Sequence, residues 1–139
     1  VLEKYPKQVK LVFKNFPLTS SHPFAYMAAT AALAADAQGK FWEFHTKLFE
    51  NQRMLNEAKI QEIATELKLD IKKFNRDMKA PAIQKLIARD MEEGRQARIT
   101  EIPTVFINGK LPRGHPQNLE DLVLGIEDRI KAELKQEKK

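Results

Sequence analysis

No cysteine occurs anywhere in the 139 residues. The chain can therefore form no disulfide, and no thiolate of its own is available as a nucleophile, redox centre or soft metal ligand. Long apolar runs are missing as well. The richest, AATAALAA, is mostly alanine and falls far short of the roughly 20 residues that span a bilayer. Nothing at Val1 resembles the charged start and apolar core of a signal segment, and a chain opening on Val rather than Met is expected to have lost its natural beginning. Histidine is scarce: His22, His45 and His115 stand far apart, with no H-E-x-x-H pair. Neither a metal site nor a cofactor is expected. Glu43, Glu57, Glu62 and Asp90 form no convergent carboxylate pair, and no G-x-S-x-G or glycine-rich phosphate loop is present. A hydrolase has no support here.

Of the residues present, 42% are hydrophobic and 31% charged, which suits one globular unit. The net charge of +5 comes from 24 basic and 19 acidic residues whose signs alternate along the chain. Its densest basic run, KAELKQEKK, contains no aromatic for base stacking. The expected partners therefore include neither nucleic acid nor membrane.

Periodicity sketches the elements. In QVKLVFKNFPL, Val9, Leu11 and Phe13 alternate with other residues as in a half-buried strand that stops at Pro17. Ser20, Ser21 and His22 offer caps, and Pro23 suits a first helical turn for FAYMAATAALAADAQG, which ends at Gly39. So many alanines imply close packing on more than one face. KFWEFHTKLFENQ predicts an aromatic amphipathic helix in which Phe41, Phe44 and Phe49 are core residues, with Trp42 on a flank and His45 at the core margin. Asn56 should cap a helix bearing Ile60, Ile63, Ala64 and Leu67. Asp70 should cap a shorter one with Ile71, Phe74 and Met78 inward. Pro81 should open a longer one whose inner residues are Ile83, Leu86, Ile87, Met91, Gly94 and Ala97. Val105-Phe106-Ile107 reads as a buried strand headed by Pro103. Asn108-Gly109 turns it into a hairpin that Gly114, His115 and Pro116 break. Asn118 should cap a last helix with Leu119, Leu122, Val123, Ile126 and Ile130 in one stripe.

Three stretches together, NFPLTSSHPFAYMAATAALAADAQGKFWEFHTKLFEN, LKLDIKKFNRDM and EIPTVFINGK, resemble the DsbA-like branch of the thioredoxin superfamily. The resemblance runs from about Tyr5 onward. It implies an α/β, thioredoxin-like fold with an inserted helical domain, truncated before the first strand. Residues 1–20 and 99–139 would form the thioredoxin part and 21–98 the helical insert. By resemblance, Pro103 is a cis-proline whose loop packs beside a C-x-x-C pair, and Ile102, Pro103 and Thr104 bind extended protein or peptide substrates. The strand and cysteine pair of the family precede the residues quoted. Glu101-Ile102 replaces the usual Gly-Thr before that proline, and Glu101 is expected to face solvent.

The implied function is that of a DsbA-like thiol–disulfide oxidoreductase domain that is redox-inactive here, with no catalytic residue in the chain. The alternative is a redox-dead peptide-binding or chaperone module. Because the absent strand is central in the family's sheet, KLVFKNF is expected to pair with TVFIN or with a second copy in a homodimer. The resemblance further implies a periplasmic or secreted bacterial setting.

Overall fold

The computed structural model describes residues 1–112 and 116–136. They belong to two compact units, Val1–Phe13 with Ile99–Lys139, and Lys14–Arg98. The division falls after Phe13, where sequence reasoning places it after residue 20. Its local cause is Asn15, which is buried and donates both its backbone N–H and its side-chain Nδ2 to Asp90 Oδ2, at 3.0 and 3.3 Å. Lys14 also pairs with Glu93, so the chain from residue 14 is tied to the helix that carries both acids.

The helices run α1 (Ala25–Asp36), α2 (Phe41–Glu50), a 3₁₀ turn (Gln52–Met54), α3 (Glu57–Glu66), α4 (Ile71–Met78), α5 (Pro81–Gln96) and α6 (Leu119–Gln136). Among the described residues there is no strand, so the expected α/β composition is corrected to a helical one. The sole β-type contact among them is an isolated antiparallel bridge between Ile107 and Lys110. The alternating stretch at Val9–Phe13 is irregular, with Leu11, Val12 and Phe13 exposed. Period-2 patterning fixes which face a strand buries, but a strand forms only where a neighbour satisfies its alternate N–H and C=O groups. KLVFKNF and TVFIN do not supply that to each other.

In the unit of residues 14–98, α1 lies at the centre and packs against α2, α3, α4 and α5. Its small side chains explain this: Ala29, Thr30, Ala31, Ala32, Ala34 and Ala35 are all buried, so neighbours approach closely from several sides. Phe44 from α2 and Phe74 from α4 are fully buried with ring centroids 5.5 Å apart, and Ile60, Ile63 and Ile87 complete the centre. Asn56 Oδ1 accepts from the Lys59 N–H at 2.8 Å and Asp70 Oδ1 from the Lys73 N–H at 2.9 Å, as the capping pattern predicts. Helix α1 differs: it begins after Phe24 with no side-chain cap, and its first amides are reached instead through the turn from His22. Gly39 takes a left-handed φ of 73° where the chain leaves α1. The neighbouring Gln38 side chain both accepts from the Asp70 N–H (2.8 Å) and donates to the Asp70 carbonyl (3.1 Å), joining the α1 and α4 ends.

Several inward assignments are corrected. Leu86 of α5, Ala97 just beyond its end and Phe49 of α2 are exposed, while Trp42 is exposed on the flank expected of it. Both faces of α2 carry rings, and α1 and α3 cover only the Phe44 and Leu48 side. In the other unit, Asn118 does cap α6, its Oδ1 accepting from the Asp121 N–H at 2.9 Å. The predicted apolar stripe is only partly covered: Ile130 is buried, Leu122 and Ile126 are half-buried, and Leu119 and Val123 are exposed. Lys4 ties the start of the chain to the helix through a 2.7 Å ion pair with Glu127. Gly114, His115 and the end of the basic tail lie outside the described residues.

Candidate functional site: the Pro103 loop

The loop begins where α5 has ended and the chain has re-entered the first unit at Ile99. Ile102–Pro103 is a cis peptide, as the resemblance implies. Ile102, Pro103 and Thr104 lie consecutively on the surface: Ile102 is 48% exposed, Pro103 is exposed, and Thr104 is half-buried. Glu101 is also exposed, in line with its expected solvent orientation. The Thr104 hydroxyl donates to the Glu101 carbonyl at 2.6 Å, closing the loop across the proline. Beyond it, no backbone–backbone hydrogen bond is made by Thr104, Val105 or Phe106 among the described residues. The stretch thus presents main-chain donors and acceptors beside an exposed aliphatic side chain. Such a surface can take up another chain by main-chain pairing.

The expected strand shrinks here to the Ile107–Lys110 bridge, closed by two hydrogen bonds of 2.8 and 3.0 Å. Asn108 and Gly109 both adopt positive φ, 48° and 74°, the conformation a two-residue hairpin turn requires and one that Asn and Gly tolerate best. This turn is tethered to α6. Asn108 Nδ2 donates to Glu133 Oε2 at 3.3 Å, Lys110 Nζ approaches Oε1 at 3.5 Å, and Arg129 pairs with Oε1 at 2.6 Å from one turn earlier on the helix. The Asn108 amide, helped by Lys110 and Arg129, holds the Glu133 carboxyl below its ordinary range against the opposing effect of burial. Arg129 Nε is buried and has no hydrogen-bond partner among the described residues. Sequence reasoning missed this cluster, because the polar residues involved lie 25 positions apart and only Arg129 and Glu133 show a recognisable i, i+4 spacing.

A second notable group lies in the other unit. Along α2, Phe41, Trp42, His45 and Phe49 stack in series, with centroids 5.0 Å apart for Phe41–Trp42, 5.4 Å for Trp42–His45 and 4.8 Å for His45–Phe49. Burial among these rings lowers the His45 pKa and favours the neutral imidazole. Among the described residues no three His, Asp or Glu side chains gather as a metal site, and no helix is long and apolar enough to cross a membrane.

A family model described as thioredoxin, of the DsbA-like kind, matches residues 1–128. Over 118 residues the chain is 38% identical to the Na(+)/H(+) antiporter NhaA 3 of Salinispora tropica, covering 85% of this chain and 18% of that protein. It is 34% identical to the NhaA 1 antiporter of Mycolicibacterium gilvum, covering 84% of this chain and 19% of the relative. The NhaA antiporter of Herminiimonas arsenicoxydans is 33% identical over 106 residues, 76% of this chain and 17% of its own. The chain thus spans about a fifth of the length of the curated relatives it matches. By the family match, it belongs to the DsbA-like thioredoxin family.

Proposed function

We propose that this member of the thioredoxin family holds extended polypeptide at the Ile102–Pro103–Thr104 loop, as the recognition part of a DsbA-like thiol–disulfide exchange domain. One observation carries the reading: the main chain of Thr104–Phe106 is unpaired among the described residues and lies beside an exposed Ile102. An incoming extended segment can pair with those groups and lay a side chain on Ile102, gaining affinity from the main chain and selectivity from the side chain. No cysteine is present, so the chain's own residues contribute recognition and no electron transfer. Exchange on protein disulfides belongs in an oxidising bacterial compartment, and that is the setting we assign.

A second reading draws on the relatives. They are named Na(+)/H(+) antiporters in which the matched stretch is a minor part, which favours a peptide-binding module without redox work attached to a transporter. Both readings require the same loop, and they part on turnover. In the first, adding a dithiol peptide that supplies the missing C-x-x-C partner accelerates disulfide exchange on bound substrate. In the second it has no effect.

Binding itself is tested by titrating the labelled chain with a reduced, carboxymethylated unfolded protein and following amide shifts. Shifts centred on Ile102, Thr104, Val105 and Phe106 are expected, and Ile102→Asp should weaken the affinity about tenfold or more through loss of the apolar contact. Shifts confined to the helices of residues 14–98, or an affinity indifferent to Ile102→Asp, would refute the reading. The chain alone should reduce no insulin disulfide above a protein-free blank.

A further inference from the structure

We propose that Glu133 on α6 is a positioning residue for the Pro103 loop, fixing the Asn108-Gly109 turn and through it the surface offered by residues 102–106. The inference rests on the polypeptide-holding reading above and adds to it a residue that touches no substrate.

Among the described residues the loop has few other polar ties. Within residues 99–112, the Thr104 hydroxyl bonds back to Glu101 and the Ile107–Lys110 bridge closes on itself, so both are internal to the segment. Among the described residues, the hydrogen bonds and ion pair that reach from this segment to another element all end on the Glu133 carboxylate. That carboxylate is itself held firmly. Its side chain is 13% exposed, and Arg129, equally covered and one helical turn away, grips Oε1 at 2.6 Å. A rigid helix therefore presents a fixed negative charge to a turn whose Asn108 amide and Lys110 ammonium point at it. Hydrogen bonds to a charged group are stronger than neutral ones, and here two residues of the same tight turn reach one carboxylate, Asn108 at Oε2 and Lys110 at Oε1. Since Ile107 joins that turn directly to Phe106, releasing the turn frees the unpaired stretch as well. A mobile stretch must be ordered on binding and so binds more weakly.

Three variants test this: Glu133→Ala, Asn108→Gly and the pair together. Glycine keeps the positive φ at residue 108 and deletes only the amide side chain. Amide exchange at Ile107 and Lys110 should quicken roughly ten- to hundredfold in Glu133→Ala, the range expected on losing a hydrogen bond to a charged group, while exchange in α1 and α5 is unchanged. Affinity for the carboxymethylated unfolded protein should fall about tenfold. The double variant should lose no more than Glu133→Ala alone, because both single changes cut one connection. A merely structural role for Glu133 would give additive losses together with a general rise in exchange.

Unchanged exchange at Ile107 and Lys110, or additive losses in the pair, would overturn the proposal. Should the unaltered chain bind no unfolded protein at all, the polypeptide-holding reading falls and the claim that Glu133 positions a binding surface falls with it. The exchange measurement then separates that failure from a failure of the Glu133 tether itself.

Discussion

Fourteen apolar side chains are buried together in residues 14–98, whereas Ile130 is the one buried hydrophobic among the described residues of the unit formed by 1–13 and 99–139. The unit formed by 1–13 and 99–139 leaves Leu11, Val12, Ile102, Phe106, Leu111, Leu119 and Leu124 exposed. The contrast follows from how each kind of element satisfies its backbone. Helices α1 to α5 close their hydrogen bonds within themselves, so burying an apolar stripe completes them. The strand-patterned stretches of the other unit need a neighbouring strand before either backbone or side chains are satisfied. The same thin packing accompanies a main chain at Thr104–Phe106 that has no backbone partner among the described residues, in the loop proposed above to hold polypeptide. On the reading proposed above, the well-packed unit carries the architecture and the thinly packed unit the recognition surface.

This division can be broken most sharply by truncating one apolar side chain in each unit. Phe74→Ala removes a fully buried ring packed on Phe44 and should cost about 3–5 kcal/mol, read from the shift in urea midpoint. Leu119→Ala, at a position 74% exposed, should stay within about 0.5 kcal/mol. Equal losses at the two sites would remove the distinction.

A smaller effect probes the boundary between the units. Asp90→Ala leaves the buried Asn15 N–H without its acceptor, and the same unfolding measurement should show a loss of about 1–3 kcal/mol. If the loss is negligible, the tether at residue 15 does not define where the helical unit starts.

The smallest effect concerns pH. Burial lowers the folded-state pKa of His45 below its ordinary value of 6.5, so the unfolded chain takes up the proton first as pH falls. The His45 contribution is fully present above pH 6.5 and is lost as pH drops through that value toward the lower folded-state pKa. Comparing thermal midpoints at about pH 7.5 and about pH 5.5, His45→Gln should show a shallower decline than the parent chain. An identical decline in both would mean that the ring stack on α2 does not desolvate His45.

Much of the helical unit was legible in the sequence because its signals are local. Asn56 and Asp70 announce their caps, Pro81 opens α5, and the alanine run predicts a central helix approached from several sides. The exposure of Phe49 was not legible. Spacing places a ring on a stripe, but only the neighbours of α2 decide which stripe is covered. The strands were misread for the related reason that alternation at Val9–Phe13 records a preference whose fulfilment depends on a partner. At the candidate site, the Asn108-Gly109 turn and the cis Ile102–Pro103 peptide agree with the sequence reading, the latter through family resemblance. Glu133 was invisible there, since nothing in a helical heptad marks one carboxylate as the anchor of a turn 25 residues away.

The most direct test of the account is amide exchange across the whole chain, measured with and without a reduced, carboxymethylated unfolded protein. The account predicts slow exchange through α1, α3 and α5 in both states, and faster exchange at Thr104, Val105 and Phe106 that slows when the unfolded protein is present. If protection is instead gained in the helices of residues 14–98 while the Pro103 loop stays unchanged, the recognition surface lies elsewhere and the account is wrong.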